Sequence, residues 1–375
     1  MGLNFMMTGV TNRESAKIAP NTALNIMERS IPIRLPDGRN IVGKEQLGIG
    51  EQGDRKAASW IGSTLKHTYG RHQLSPSEEQ IFEQIRSGKV EPLFVEKDGQ
   101  PDACAALIHG SKTVELGRAA NAPGGRGAAT LMWKLSREWE NRKDDMRPLV
   151  AEVRMAAPFE GIDGGQGSQA TLLNPKKVGM VSHAFLPTFH HPGEIEHDRQ
   201  ELFCFAAKEK PGHEKVKNAP RFISLPEIPQ MNIELLQTLM GLNGFQTEIC
   251  PAEIGEKNPP HPIGRVASVP FHLLTVDPEL ILKSETEWDV AGSVSPFELL
   301  PVDAMRTDLA ALSEQLVGQG FICTGISAPH EGRLHLLFAR LHKTTFAPTL
   351  PMNNFPGIDP KLIMRAHNQF SQAMQ

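Results

Sequence analysis

Val114 to Trp139 reads VELGRAANAPGGRGAATLMWKLSREW, and its change of pattern decides the fold. Apolar residues from Lys112 to Ala120 suit a strand, and a helical pattern runs from Arg126 to Glu140. Between them lies Asn121-Ala-Pro-Gly-Gly-Arg-Gly127, where Gly124, Gly125 and Gly127 remove side-chain bulk just before a helix start. The first amides of a helix have no intrahelical partner, and the helix dipole adds partial positive charge, so Gly124 to Thr130 can receive a phosphate or pyrophosphate. The same stretch also reads as a purely structural turn. It is neither a Gly-Lys-Ser/Thr phosphate loop nor the Gly-x-Gly-x-x-Gly dinucleotide turn.

Upstream, Ile31 to Pro36 reads as a short strand entering a turn at Asp37-Gly38. Helices follow at Ser59 to Tyr69 and Ser75 to Ser87, the second opening on a capping serine, Pro76 and two acids. Glu91 to Glu96 and Ala103 to His109 flank Lys97-Asp98-Gly99, a hairpin turn. Downstream, Pro148 to Met155 is a strand, so strand, helix and strand form a parallel crossover. Ala157 to Gln169 reads as a Gly-rich loop, Asn174 to Phe185 as a helix, and Leu186 to His191 with Glu201 to Ala207 as a closing strand pair.

The expected organisation is an extension over 1–30, a first domain over 31–208, a charged linker over 209–220, a second α/β domain over 221–345 and an arm over 346–375. The length of 375 residues suits two cores. In the second domain a helix at Met305 to Gln319, Gly320-Phe321-Ile322 and a strand at Arg333 to Leu341 repeat the order of Asn174 to Ala207. That order implies a duplicated fold whose second copy lacks the glycine turn.

The turn resembles the signature of the GNAT superfamily of N-acetyltransferases, Arg/Gln-x-x-Gly-x-Gly/Ala. Here it runs Gly124-Gly-Arg-Gly127-Ala-Ala129, with Gly124 in place of the leading Arg/Gln. The order of elements over roughly 30–208 agrees with that family. The resemblance implies an α/β fold with a mixed twisted sheet and flanking helices, and acetyl-CoA or another acyl-CoA as co-substrate. Its pyrophosphate would lie on Gly124, Gly125, Arg126, Gly127, Ala128, Ala129 and Thr130, with Asn174 as a further contact. Pantetheine would enter where the motif strand and the next one part, and the backbone at Arg118 and Ala119 would polarise the thioester carbonyl.

Acyl transfer to an amine needs a base, an oxyanion donor and an acid for the departing thiolate. Glu115 takes the position of a catalytic Glu in several relatives, and its alternative is a solvated or salt-bridged carboxylate, with Arg118 as one candidate partner. The relatives' tyrosine slot, five residues before Phe185, holds Met180. Tyr69, the single tyrosine, and His183, with Ser182 beside it, stand in as acid candidates against ordinary structural roles. The acceptor is read as a small-molecule amine. A non-catalytic acyl-CoA-binding protein and an aminoacyl-tRNA-dependent transferase are the alternatives.

Net charge is −4 with signs mixed, which makes nucleic acid a poor partner. Four separated cysteines suit reduced thiols in the cytoplasm. Cys104 and Cys204 fall inside strands as core residues. The histidines at 183, 190, 191 and 197 lack metal-ligand spacing, so no metal is expected. No secretory pattern, spanning segment or myristoylation match is read.

Overall fold

The structure is a computed structural model. It describes residues 30–34, 40–44, 47, 50–69, 77–97, 100–110, 113–123, 125–154, 178–188, 201–214, 216–252, 297–326, 332–341 and 358–373. Strands β1 (Ser30–Arg34) and β2 (Asn40–Lys44) form a hairpin, followed by helices α1 (Gly50–Tyr69) and α2 (Glu78–Arg86). β3 (Val90–Lys97), β4 (Gln100–His109), β5 (Val114–Asn121), α3 (Ala128–Asn141) and β6 (Leu149–Arg154) come next. β7 (Val181–Thr188) and β8 (Glu201–Lys208) close the first half. The second half contributes β9 (Phe222–Leu225), α4 (Ile233–Leu242), β10 (Glu248–Pro251), β11 (Phe297–Asp303), α5 (Leu309–Gly318), β12 (Ile322–Ile326), β13 (His335–Leu341) and α6 (Pro360–Ala373).

Eleven strands make one sheet in the order β1-β2-β3-β4-β5-β6-β8-β7-β12-β13-β11. β5 and β6 are parallel, as expected of a strand-helix-strand crossover, and β9 pairs with β10 in a separate parallel ribbon. Alternation along β4 divides the interior. Ala103, Ala105 and Leu107 join the apolar cluster that holds Leu131 and Leu135 of α3, and that cluster continues to Leu235 of α4, Leu312 of α5 and Ile363 of α6. Cys104 faces the other way, with Ile61 of α1 and Phe82 of α2.

Several boundaries differ from the sequence reading. The second cap is Ser77 rather than Ser75, in a capping box with Gln80. α1 starts at Gly50, nine residues ahead of Ser59. The helix expected over Asn174 to Phe185 is contradicted from Val181 on, where the chain is strand. Gly179 takes φ +79 there, which interrupts a right-handed helix, and Pro187 lies at the strand's far end. The Gly-rich loop at 157–169 and His190, His191 and His197 lie outside the described residues. The segment 209–220 carries a Lys217–Glu209 ion pair at 2.9 Å and a bridge from Asn218 to Arg333.

The two halves meet edge to edge. β7 pairs antiparallel with β12 through Ala184 and Gly325. On either side of this seam the strand order repeats, β6-β8-β7 against β11-β13-β12, with antiparallel pairs throughout. Each copy carries a bulge beside the seam, at His183 in one and Thr324 in the other. α4 lies across both: Asn232 Nδ2 donates to Cys323 O and Asn243 Nδ2 to Ser182 O, each at 2.8 Å. Gly325 has φ +148, and a Cβ there would stand 2.4 Å from His183 O. Only glycine fits.

At the far end of the sheet Glu91 meets Arg142, and His109 Nε2 lies 2.8 Å from its carboxylate. Burial raises the Glu91 pKa, but these two partners outweigh it and hold the carboxyl at about 2. Among the described residues no helix is long and apolar enough to cross a membrane, and no group of three or more metal-ligating side chains converges.

Two outcomes follow from the seam and the ion pair. Gly325→Val should cost about 3 kcal/mol in denaturant unfolding, because the β7 backbone cannot yield to the new side chain. Glu91 is depressed in the folded state, so the unfolded chain takes up its proton first. Its stabilisation is present above about pH 4.5 and lost as pH falls toward about 2, and Glu91→Gln should flatten that part of an acid-denaturation curve.

Candidate functional site

The candidate site is built on β5. Val114 and Leu116 anchor it in the α3 cluster. Among the described residues β5 pairs with β6 only at Val114–Leu149 and Glu115–Val150, and past these the two parallel strands part. On its other side β5 bulges against β4: Cys104 faces Ala120 and Ala106 faces Gly117, so Arg118 and Ala119 together oppose one residue. Arg118 takes φ +51, which is unusual for a side chain of its size. The bulge frees peptide groups from the ladder at the point where the neighbouring strand leaves.

Glu115 is 9% exposed. Its carboxylate folds over Gly117, where a Cβ would stand 2.5 Å from Oε1. It makes no ion pair with Arg118 within 4.0 Å, so the alternative of a direct Glu115–Arg118 bridge is not what the structure contains. The Arg118 guanidinium instead reaches α2, where Nη2 donates to Gln84. Its carbonyl accepts from Cys104 Sγ at 3.2 Å. Burial pushes the Cys104, Cys204 and Cys323 thiols up to about 12, which leaves all three protonated and unfit as nucleophiles at neutral pH.

At the C-terminal end of β5 the chain enters the glycine turn. Ala122 N donates to Asp102 O, Gly125 N to Ala122 O and Arg126 N to Asp102 Oδ2. Ala128 N donates to Asn121 Oδ1 at 3.0 Å. Side chains from the chain itself therefore satisfy two of the amides assigned to a pyrophosphate. Among the described residues no acceptor meets the amides of Gly127, Ala129 and Thr130, so they form the remaining anion site at the helix start. Gly127 holds φ +128 at the N-cap, a conformation that glycine alone adopts readily.

Glu115, Arg118, Ala119, Gly125, Arg126, Gly127, Ala128, Ala129 and Thr130 are thus gathered along one strand and the turn that follows it. Tyr69 ends α1, and its side chain, Gly124 and Asn174 lie outside what the structure describes. His183 is the bulge residue of β7 at the seam and is 1% exposed, while Met180 is buried just before that strand. Sequence reasoning missed Gln84, Asp102 and the capping role of Asn121. Asp102 is 24 residues from Arg126 and reaches it only through β4–β5 pairing, so no local pattern marks it. Asn121, seven residues before the amide it caps, lay in view within the quoted stretch.

From β2 onward, two helices, a hairpin before the motif strand, a parallel strand after α3 and a closing strand pair agree with the order the resemblance implies, while the helix it implies over Asn174 to Phe185 is strand from Val181. The order of elements is GNAT-like. No family model and no curated protein sequence matches the chain. Similar solved structures include the ribosomal-protein-alanine N-acetyltransferase from Brucella melitensis, with 16% identity, a TM-score of 0.32, and coverage of 43% of this chain and 96% of that one. A putative acetyltransferase, yncA, from Salmonella typhimurium with its cofactor acetyl-CoA has 14% identity and a TM-score of 0.34, covering 48% of this chain and 98% of its own. The ribosomal-protein-S18-alanine N-acetyltransferase from Escherichia coli has 15% identity and a TM-score of 0.30, with 43% and 90% covered.

The turn's geometry is open to a direct check. A Cβ at Gly125 would stand 2.2 Å from Asp102 O, whereas one at Gly241 on α4 meets nothing within 4 Å. Gly125→Ala should therefore lower unfolding stability by about 1–3 kcal/mol. Gly241→Ala should be neutral or stabilising by up to about 1 kcal/mol, from its better helix propensity.

Proposed function

We propose that the chain is an acyl-CoA-dependent N-acyltransferase that moves an acetyl or other small acyl group onto a primary amine of a small molecule. One observation carries this reading: the parting of β5 from β6, the bulge at Arg118–Ala119 and the open amides of Gly127, Ala129 and Thr130 lie in sequence along one strand and its turn. A donor laid along this path has its pyrophosphate on the turn, its pantetheine arm in the gap and its thioester at the bulge. Gly125 and Gly127 add no side chain to the turn, and among the described residues no acceptor meets the amides of Gly127, Ala129 and Thr130, so the turn fits the group it is assigned.

In this reading the thioester carbonyl is polarised by bulge amides, which act on the charge that develops as the amine attacks. Glu115 takes the proton from the incoming ammonium, directly or through one water. The C–S bond breaks as the C–N bond forms, and the thiolate leaves with a proton from the acid. Tyr69 and His183 are the candidates for that acid, with His183 the weaker because it is sealed into the seam. The repeated strand order supports a second, degenerate copy of the fold in the C-terminal half.

A second reading, an acyl-CoA-binding protein without turnover, is favoured by the buried Met180 in the slot where relatives carry tyrosine. Thermal unfolding with acetyl-CoA, followed by thiol release over an amine panel, separates the two. At a ligand concentration about 100-fold above its dissociation constant, binding should stabilise the wild type by about 2.7 kcal/mol. Gly127→Glu should abolish that shift through bulk and like charge, while Gly127→Ala, which shares the backbone strain, should retain most of it. A shift that persists in Gly127→Glu removes the turn from the donor site. Binding without thiol release selects the second reading.

A further inference from the structure

Among the described residues Arg118 presents a charge without a counter-charge. Its guanidinium is largely buried beside the β5 bulge, Nη2 donates to Gln84, and Nη1 is closed to solvent with no hydrogen-bond partner among the described residues. No carboxylate among those residues lies within 4.0 Å of it. The charge of Glu115 acts only from longer range, because that carboxylate is folded over Gly117. Burial accordingly depresses the Arg118 pKa, with Glu115 opposing the shift.

Buried ions are ordinarily paired, and a buried donor without an acceptor is retained against a free-energy cost. Three other half-buried arginines follow that rule. Arg142 has Glu91, Arg147 has Asp145, and Arg306 has Asp308. Arg118 alone among these is held by a neutral amide. Gln84 therefore orients the guanidinium without neutralising it, and it does so at the bulge, three residues beyond Glu115.

We propose that Arg118 is a specificity residue that receives a carboxylate carried by one of the two substrates of the acyl transfer. The inference rests on the acyltransferase reading above. The planar guanidinium matches a carboxylate in a two-point contact, which a lysine would not reproduce. Such a group can come from the acceptor, as in an amino acid, or from the far end of a dicarboxylic acyl chain on the donor. Gln84 is the positioning residue, and its neutrality keeps the site available.

The experiment compares kcat/KM for amino acids against their carboxamides with acetyl-CoA, and for succinyl-CoA against butyryl-CoA with an uncharged amine. Wild type should favour the carboxylate by about 100-fold or more in one of the two arms, and that arm identifies the source. Arg118→Met and Gln84→Glu should both erase the preference, through KM of the carboxylate substrate, and Gln84→Glu should keep the acetyl-CoA thermal shift. Gln84→Glu supplies an internal counter-ion and so should not cost stability, which keeps the test open if Arg118→Met fails to fold. Equal rates for carboxylate and neutral analogues in both arms overturn the assignment, as does a preference that survives Gln84→Glu. An absent acetyl-CoA shift instead overturns the acyltransferase reading itself, and this inference with it.

Discussion

Among the described residues, two backbone pairings, Val114 with Leu149 and Glu115 with Val150, are all that join β5 to β6. A sheet interior with so short a ladder leaves peptide groups on both strands that must find partners elsewhere, in water or in a ligand. The two sides of the gap are kept in place by what lies over them. Leu131, Leu135 and Trp139 of α3 are buried in the cluster that also contains Val114, Leu116 and Leu149. Trp139 is pinned further by its Nε1 donating to Arg147 O at 3.1 Å. The helix thus does the holding that hydrogen bonds do elsewhere, and the strands are free to part without the sheet dividing.

The same economy governs the seam between halves. Among the described residues a single paired position, Ala184 with Gly325, joins β7 to β12, and the strands come so close there that a Cβ has no room. α4 spans the junction and donates from an asparagine at each end to a carbonyl next to each bulge. Covering the β7 edge removes a row of unpaired backbone groups that would otherwise invite pairing with another chain. Because the seam lies two strands beyond β6, it supports the sheet without entering the gap.

How much of this was legible depends on whether the signal was local. The motif strand, the glycine turn and α3 were read within two residues, since an apolar run, bare glycines and a helical period follow one another directly. The β3–β4 hairpin was equally plain from Asp98-Gly99. By contrast, Val181 to Phe185 was assigned to a helix, because the strand is settled by pairing with β8 twenty residues on and by Gly179, neither of which a helical period registers. The second strand of the N-terminal hairpin, Asn40–Lys44, was missed for the same reason: its pairing with β1 and β3 is a tertiary fact. In the site, residues that project from β5 were found and those that act across elements were not. Gln84 and Asp102 meet their partners only after the sheet has formed.

Gly117 shows why the arrangement of charges on β5 is more than the sum of its residues. Glu115 and Arg118 are three apart and opposite in sign, and a direct pair would neutralise both. With no side chain at 117 the carboxylate can lie back over the strand, 2.5 Å from where a Cβ would be. The bulge then turns Arg118 into φ +51, toward α2 and Gln84. Each device has a cost, a strained backbone in one case and an unneutralised charge in the other. Both costs fall at the one place where β5 is free of β6. A fold under selection for stability alone would close that pair, so its separation is the strongest physical argument that this stretch of β5 is built for a ligand.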